Sequence, residues 1–155
     1  MTKENTCCFT GHRKLYKPVE ELIPPLKAAI DDMYSRGVRN FCCGGALGFD
    51  TLAAQMVLEL KKTRDDVRLV LILPCPEQAN RWAGRDIAEY ERIKSLADEV
   101  IITSPHYTSF CMHVRNHRLV DESAYCIAYL VVNKGGTAST VDYAAQQGVK
   151  TVNIA

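Results

Sequence analysis

Residues 67–73 read VRLVLIL and residues 124–133 read AYCIAYLVVN. Both are nearly continuous apolar runs rather than alternating ones, the signature of strands covered on both faces. Such strands belong to a parallel sheet layered between helices. Everything else in the chain is read outward from that premise.

Further apolar, β-branched or Cys-rich runs recur at 6–10, 39–43, 99–102 and 149–154, and the two strongest runs give strands at 67–73 and 125–132. Helical patterns lie between them. Over 19–36, Val19, Leu22, Ile23, Leu26, Ile30 and Met33 recur at intervals of three and four, and Gly37 follows as a C-cap. Over 50–62, Ala53, Met56, Val57 and Leu60 do the same. Three more helices are expected at 84–97, 108–123 and 137–147, the last closed by Gly148. Strands alternating with helices mean βαβ units. The chain therefore reads as one α/β domain over residues 1–155. It is doubly wound, with a mainly parallel sheet and helices on both faces.

Composition narrows the function classes. Hydrophobic content of 47% and charged content of 24% are those of a water-soluble globular domain. No apolar run approaches the ~20 residues that span a bilayer. The start, MTKENTCCFTGHR, lacks a signal-peptide core. A cytoplasmic protein without a membrane partner is expected. With 19 basic and 18 acidic residues the formal net charge is +1, which argues against nucleic acid as a partner but not against a local anion site. Seven cysteines, with no CxxC spacing and no clustered histidine partner, read as buried reduced thiols, and no metal site is expected.

In open α/β sheets ligands sit outside the carboxyl ends of the strands, near the point where the strand order reverses. The unusual residues gather in those turns. Gly11, His12 and Arg13 follow the first strand, and Gly44, Gly45, Ala46, Gly48 and Asp50 follow the second. Gln78, Arg81 and Trp82 come after the third, and Gly135, Gly136 and Thr137 after the fifth. Two Gly-rich turns at helix starts expose backbone N–H groups to an anion, and the helix adds about half a positive charge. Neither turn is a GxGxxG or a GxxxxGK[ST] fingerprint, so an NAD-type motif and a P-loop are both absent. Asp50 reads as a helix N-cap, as an acceptor for a ribose or base, or as both. His12 and Arg13 read as phosphate contacts or as a solvated loop pair. His113, Arg115, Asn116, His117 and Arg118 crowd one short stretch of the fourth helix, where Arg115 and Asn116 suit a phosphate or ribose. Trp82 reads equally as core or as a stacking face for a base.

Four segments in this order, CCFTGHR, GGALGFDTLAA, MHVRNHRLVDES and NKGGTASTVDYAAQQG, resemble the YpsA family of the SLOG superfamily across essentially the whole chain. That superfamily also contains the DNA-processing protein DprA and the LOG phosphoribohydrolases. The resemblance implies a Rossmann-like domain that binds a nucleotide or a nucleotide-derived ligand such as ADP-ribose, NAD or a nucleoside monophosphate. It also implies a homodimer paired through helices. By similarity to LOG segments of the form MHxRK and PGGxGTxxE, an arginine falls on Arg115, a phosphate loop on Gly135, Gly136, Thr137, Ser139 and Thr140, and a catalytic acid on Asp142. Asp142 is one methylene shorter than the LOG glutamate, which sets hydrolysis of a nucleoside 5'-monophosphate second to binding. Single-stranded DNA binding of the DprA type stands third.

Overall fold

The computed structural model describes residues 1–155. After a short 3-10 turn at Lys3–Asn5, the chain runs β1 (Thr6–Gly11), α1 (Val19–Ser35), β2 (Asn40–Cys43), α2 (Phe49–Lys61), β3 (Arg68–Leu73) and α3 (Gly84–Leu96). It continues through β4 (Glu99–Ile102), α4 (Cys111–Asp121), β5 (Tyr125–Tyr129), α5 (Gly136–Gln146) and β6 (Lys150–Asn153). All six strands are parallel, in the order β4-β3-β2-β1-β5-β6. Every expected strand and helix is present, and the sheet is wholly rather than mainly parallel. No helix is long and apolar enough to cross a membrane.

The two continuous apolar runs occupy the sheet's interior, and each feeds both faces. Phe9, Phe41, Leu69, Leu71 and Ile127 point into the larger core under α1, α2 and α3. Cys8, Cys42, Val70, Ile72, Cys126 and Ala128 point into the smaller one, against Leu119 and Val120 of α4 and Ala144 of α5. Adjacent cysteines therefore face opposite sides, as strand geometry requires. All seven are buried and unbonded to one another. Burial pushes the thiols of Cys7 and Cys43 far up, which suits their use as small hydrophobes.

Two boundaries differ from the sequence reading by three residues, and the others by one or two at most. Strand β5 stops at Tyr129 rather than 132, because the N–H groups of Val131 and Val132 turn away from the sheet to His12. Helix α4 starts at Cys111 rather than 108. Helices α1 and α5 both end in a Schellman turn: Gly37 N–H bonds Tyr34 and Val38 N–H bonds Met33, while Gly148 N–H bonds Ala145 and Val149 N–H bonds Ala144.

The sheet order fixes where a ligand can enter. Helices α1, α2 and α3 cover one face as the chain winds outward to β4. The chain then crosses to the other face through α4 and re-enters beside β1 as β5. The order reverses between β1 and β5, and a crevice opens at their carboxyl ends. On its far side, the loop before α2 is packed against the loop after β1. Gly48 has φ +79°, and a Cβ there would lie on the carbonyl of Arg13. Gly148 has φ +73° but open space around it. Gly148→Ala should therefore cost only the left-handed penalty of ~1–2 kcal/mol. Gly48→Ala adds a backbone collision, and chemical denaturation should show a loss at least ~2 kcal/mol larger. Equal losses would mean that the two loops do not need this contact.

Candidate functional site

The loop after β1 serves as a wedge. The carbonyl of His12 accepts the N–H of Phe49 at 3.1 Å, so the first turn of α2 is occupied by protein. Gly11 lies flat against the Phe49 ring, leaving no room for a side chain. The His12 ring faces the other way. Its Nε2 accepts the N–H groups of Val131 at 3.0 Å and Val132 at 3.1 Å. A nitrogen that accepts two N–H bonds carries no proton itself, so the ring proton sits on Nδ1. Tyr16 and Tyr129 pack edge-on against the ring. His12 thus clamps the β1 loop to the β5 loop. The phosphate contact expected of it is not available through Nε2. Arg13, next along, is exposed at the rim.

The Gly44–Gly48 turn does not form the anion cradle that its sequence suggests. Its glycines are there for close packing. A Cβ at Gly44 would sit 2.7 Å from Nη1 of Arg115 and 3.0 Å from Oδ2 of Asp50. Gly45 is pressed against Leu73. Of this turn only Ala46 reaches the crevice, and its N–H already bonds Oδ2 of Asp50 at 3.2 Å. Asp50 is also not the N-cap of α2. That position is Gly48, and Asp50 lies buried in the first turn. Burial raises its carboxyl above the usual range, while Arg115, the Ala46 N–H and Arg13 pull it back.

Arg115 enters from α4 and is only 4% exposed. Its Nη1 donates to the Gly44 carbonyl and, at 3.4 Å, to Oε1 of Gln78. Nε donates to Oδ1 of Asn116 at 2.8 Å, and Nη2 lies 3.7 Å from the Met112 sulfur. Burial lowers its pKa and the Asp50 charge raises it. Arg115 is thus a buried cation held by protein groups, which makes it part of the crevice floor rather than a free phosphate fork. Gln78 completes this floor, with Nε2 donating to the Gly44 carbonyl at 3.3 Å. The sequence reading placed Gln78 among the unusual residues without a role. Met112 it missed, although the i, i+3 spacing to Arg115 was the available signal.

The remaining wall is α5. Gly135 takes φ +88° and stands at the N-cap, with nothing near the place a Cβ would occupy. The N–H groups of Gly136, Thr137 and Ala138 form the first turn. No side chain caps them, and the first intrahelical bond runs from Ser139 to Gly135. The amide of Asn116 stands beside Gly136. The resulting cavity has a volume of about 340 Å³. It brings together Gly11, His12, Arg13, Ala46, Asp50, Arg115, Asn116, Gly135, Gly136 and Thr137 of the expected set, with Thr10, Met112 and Lys134. Gly44, Gly45 and Gly48 stay behind its walls.

Asp142 does not join Arg115. It is exposed and lines a neighbouring depression with His113 and His117. The pairing expected for a glycosidic hydrolase is therefore not formed. Trp82 packs edge-on against Tyr90 and the larger core, which resolves its reading as core. A larger apolar groove of about 610 Å³ runs between α1, α2 and α3, away from every carboxyl-end loop. No group of three or more His, Cys, Asp or Glu side chains could hold a metal ion.

Known proteins match this chain at two levels. The family model of the YspA SLOG family (YpsA) matches residues 7–153. An uncharacterised SPbeta prophage-derived protein of Bacillus subtilis, YoqJ, is 27% identical over 132 residues, covering 77% of each chain. A UPF0398 protein of Halalkalibacterium halodurans is 28% identical over 109 residues, 69% of this chain and 58% of that protein. Among solved structures, DNA processing protein A from Streptococcus pneumoniae superposes with a TM-score of 0.64 at 15% identity, over 96% of this chain and 50% of that one. The Helicobacter pylori protein of the same name, described for its single-stranded DNA binding mode, gives 0.67 at 15% over 96% and 64%. At such identities the likeness is one of fold. The chain spans between half and two thirds of these longer proteins.

The floor of the crevice generates its own test. Arg115→Met leaves Asp50 and the Gly44 carbonyl buried without their cation, so urea unfolding should show a loss of ~3–5 kcal/mol. The Asp50→Asn, Arg115→Met double variant should recover part of it. Because the Asp50 carboxyl is raised on folding, its contribution is fully favourable below the unfolded value and is lost as pH rises through the folded one. Asp50→Asn should accordingly gain on the wild type as pH rises from acid to neutral. A gain that instead shrinks toward neutral would contradict the burial argument.

Proposed function

The chain belongs to the YspA SLOG family, and from that membership and the crevice geometry we propose that it binds a nucleotide or nucleotide-derived ligand, as a sensor or carrier. ADP-ribose, NAD and a nucleoside monophosphate are the candidate types. One observation carries the reading. The first turn of α5 offers the N–H groups of Gly136, Thr137 and Ala138, uncapped, at the wall of a cavity at the strand-order reversal. A phosphate there meets the helix dipole, Arg13 and Lys134 from the rim, and the amide of Asn116. The charge of Arg115 supports it from beneath. The base and ribose then lie toward Thr10, Met112 and Asp50. A cytoplasmic location belongs to the same proposal, supported by seven free thiols.

Hydrolysis is the weaker reading. The carboxylate nearest Arg115 is Asp50, buried and already bonded to Ala46, while Asp142 opens elsewhere. Single-stranded DNA, described for the Helicobacter pylori structural neighbour, needs a basic track that a net charge of +1 does not supply.

Thermal shift against a nucleotide panel should reveal at least one stabilising ligand, since saturation at 100 times the dissociation constant adds ~2.7 kcal/mol. Arg13→Ala removes an exposed charge-assisted contact and should weaken that ligand ~10–100-fold without lowering the melting point of the free protein. A correctly folded protein with no shift from any nucleotide would remove the proposal. Fluorescence anisotropy with single-stranded DNA should give weak, salt-sensitive binding or none. Submicromolar affinity at physiological salt would favour the DNA reading over this one.

A further inference from the structure

The His12 clamp is made by a ring nitrogen that must stay free of a proton. Nε2 accepts the N–H groups of Val131 at 3.0 Å and Val132 at 3.1 Å, and both bonds need its lone pair. The loop between β5 and α5, residues 130–135, has few other ties. At one end the Asn153 side chain holds the N–H and the carbonyl of Leu130, both at 3.0 Å. Within the loop the Lys134 N–H bonds the Val132 carbonyl at 2.9 Å. Its middle is hydrogen-bonded to the β1 loop through His12 alone.

A proton on Nε2 ends both bonds at once, because it turns the acceptor into a donor facing two donors. The surroundings do nothing to offset the charge. The ring makes no hydrogen bond besides those two, so no carboxylate stands behind Nδ1 to steady an imidazolium. Tyr16 and Tyr129 meet the ring edge-on, and the Tyr129 hydroxyl is engaged by the Tyr16 N–H at 3.0 Å. Three cations share the cavity with it: Arg13 of its own loop, Lys134 of the β5 loop and Arg115 of α4. The one acid there is Asp50 of α2, whose carboxylate bonds Ala46 and lies beside Arg115. A clamped loop and a charged His12 therefore exclude each other.

We propose that His12 is a proton-operated latch on the crevice. With the ring neutral, the loop stands clear of α5 and leaves its first turn open to an anion. With the ring protonated, Val131 and Val132 lose their acceptor, and the loop comes free with Lys134 and Gly135 at the mouth of the opening. Anion binding at α5 and proton binding at His12 then oppose each other, by the same factor in both directions. That regulation rests on the reading of α5 as the anchor of a nucleotide, whereas the latch itself does not. Its sign is distinctive. Acid charges the other histidines and neutralises carboxylates, which draws an anion more tightly into a fixed site. The latch does the reverse.

Nuclear magnetic resonance of the isotope-labelled full chain, titrated from about pH 8 to about pH 5.5, tests this in the range where histidine ordinarily changes charge. Sulfate, whose charge is constant there, is the probe anion. The amide resonances of Val131, Val132 and Gly135 should move in the same transition as the His12 ring nitrogens. The sulfate dissociation constant, read from the amides of Gly136, Thr137 and Ala138, should rise at least ~10-fold, about the worth of one hydrogen bond. Glutamine offers an Oε1 that accepts N–H groups and takes no proton in this range. In His12→Gln the loop resonances should accordingly stay in place, and sulfate should bind more tightly in acid. Loop amides that do not follow the His12 transition would overturn the latch. So would sulfate that tightens in acid in the wild type, or a His12→Gln variant that loses sulfate in acid as the wild type does. Should the loop follow His12 while sulfate binds at no pH, the latch stands and the anion site at α5 falls.

Discussion

The geometry of the crevice depends on a guanidinium taken out of water. Arg115 reaches from α4, on one face of the sheet, to the carbonyl of Gly44 at the end of β2 and to Gln78 after β3. One side chain thereby ties three carboxyl-end segments together. A cation buried this deeply is tolerable only when its donors are used and a counter-charge lies near. Both conditions are met: Gly44, Gln78 and Asn116 accept its hydrogens, and Asp50 supplies the charge. The same demand explains residue 44. Any side chain there would displace the guanidinium from the carbonyl that holds it.

Two helix starts with similar sequences have opposite fates because of what is packed on them. Helices α2 and α5 both follow a glycine at positive φ that stands at the N-cap. At α2 the β1 loop fills the opening, with the His12 carbonyl on the Phe49 N–H and the Arg13 backbone under Gly48. At α5 the space in front of Gly135 and Gly136 stays open. His12 contributes to both outcomes. Its carbonyl closes α2, and its ring holds Val131 and Val132 so that the β5 loop stands clear of its own helix. Only the open start retains the dipole and the unused N–H groups that an anion needs.

The fold was legible because its signals are local. Continuous apolar runs mark buried parallel strands, and glycines punctuate the turns between them. Much of the candidate site was legible too, since its residues follow the ends of β1 and β5, where an open sheet reverses order. What could not be read depends on contacts between residues far apart in the chain, from tens of positions at the Gly44–Gly48 turn to more than a hundred at His12. Nothing in the sequence near His12 says that its Nε2 meets the backbone at Val131. The Gly44–Gly48 turn looks like a phosphate loop because close packing and anion binding ask for the same residue. Asp142 was misplaced for a rotational reason. Thr137, Thr140 and Ala144 mark the most buried line of α5, and Asp142 sits away from it on the side where only the small Ala138 is buried.

Charge distribution bears on what kind of anion the crevice suits. The near-neutral total conceals a division of labour. Eight of the lysines and arginines are spent in ion pairs on helix surfaces and strand ends, from Lys27–Asp31 to Arg118–Glu122. Arg13 and Lys134 enter no such pair, and they stand on opposite rims of the cavity that Arg115 underlies. A polymer such as DNA is held by charge repeated along a track and pays out counterions at each phosphate. Here two of the unpaired cations, Arg13 and Lys134, flank the few ångströms in front of one helix, with Arg115 beneath. Beyond Lys134 and Gly135 the neighbouring depression holds an acid, Asp142, together with His113, His117, two amides and a hydroxyl. An extended polyanion would meet repulsion there.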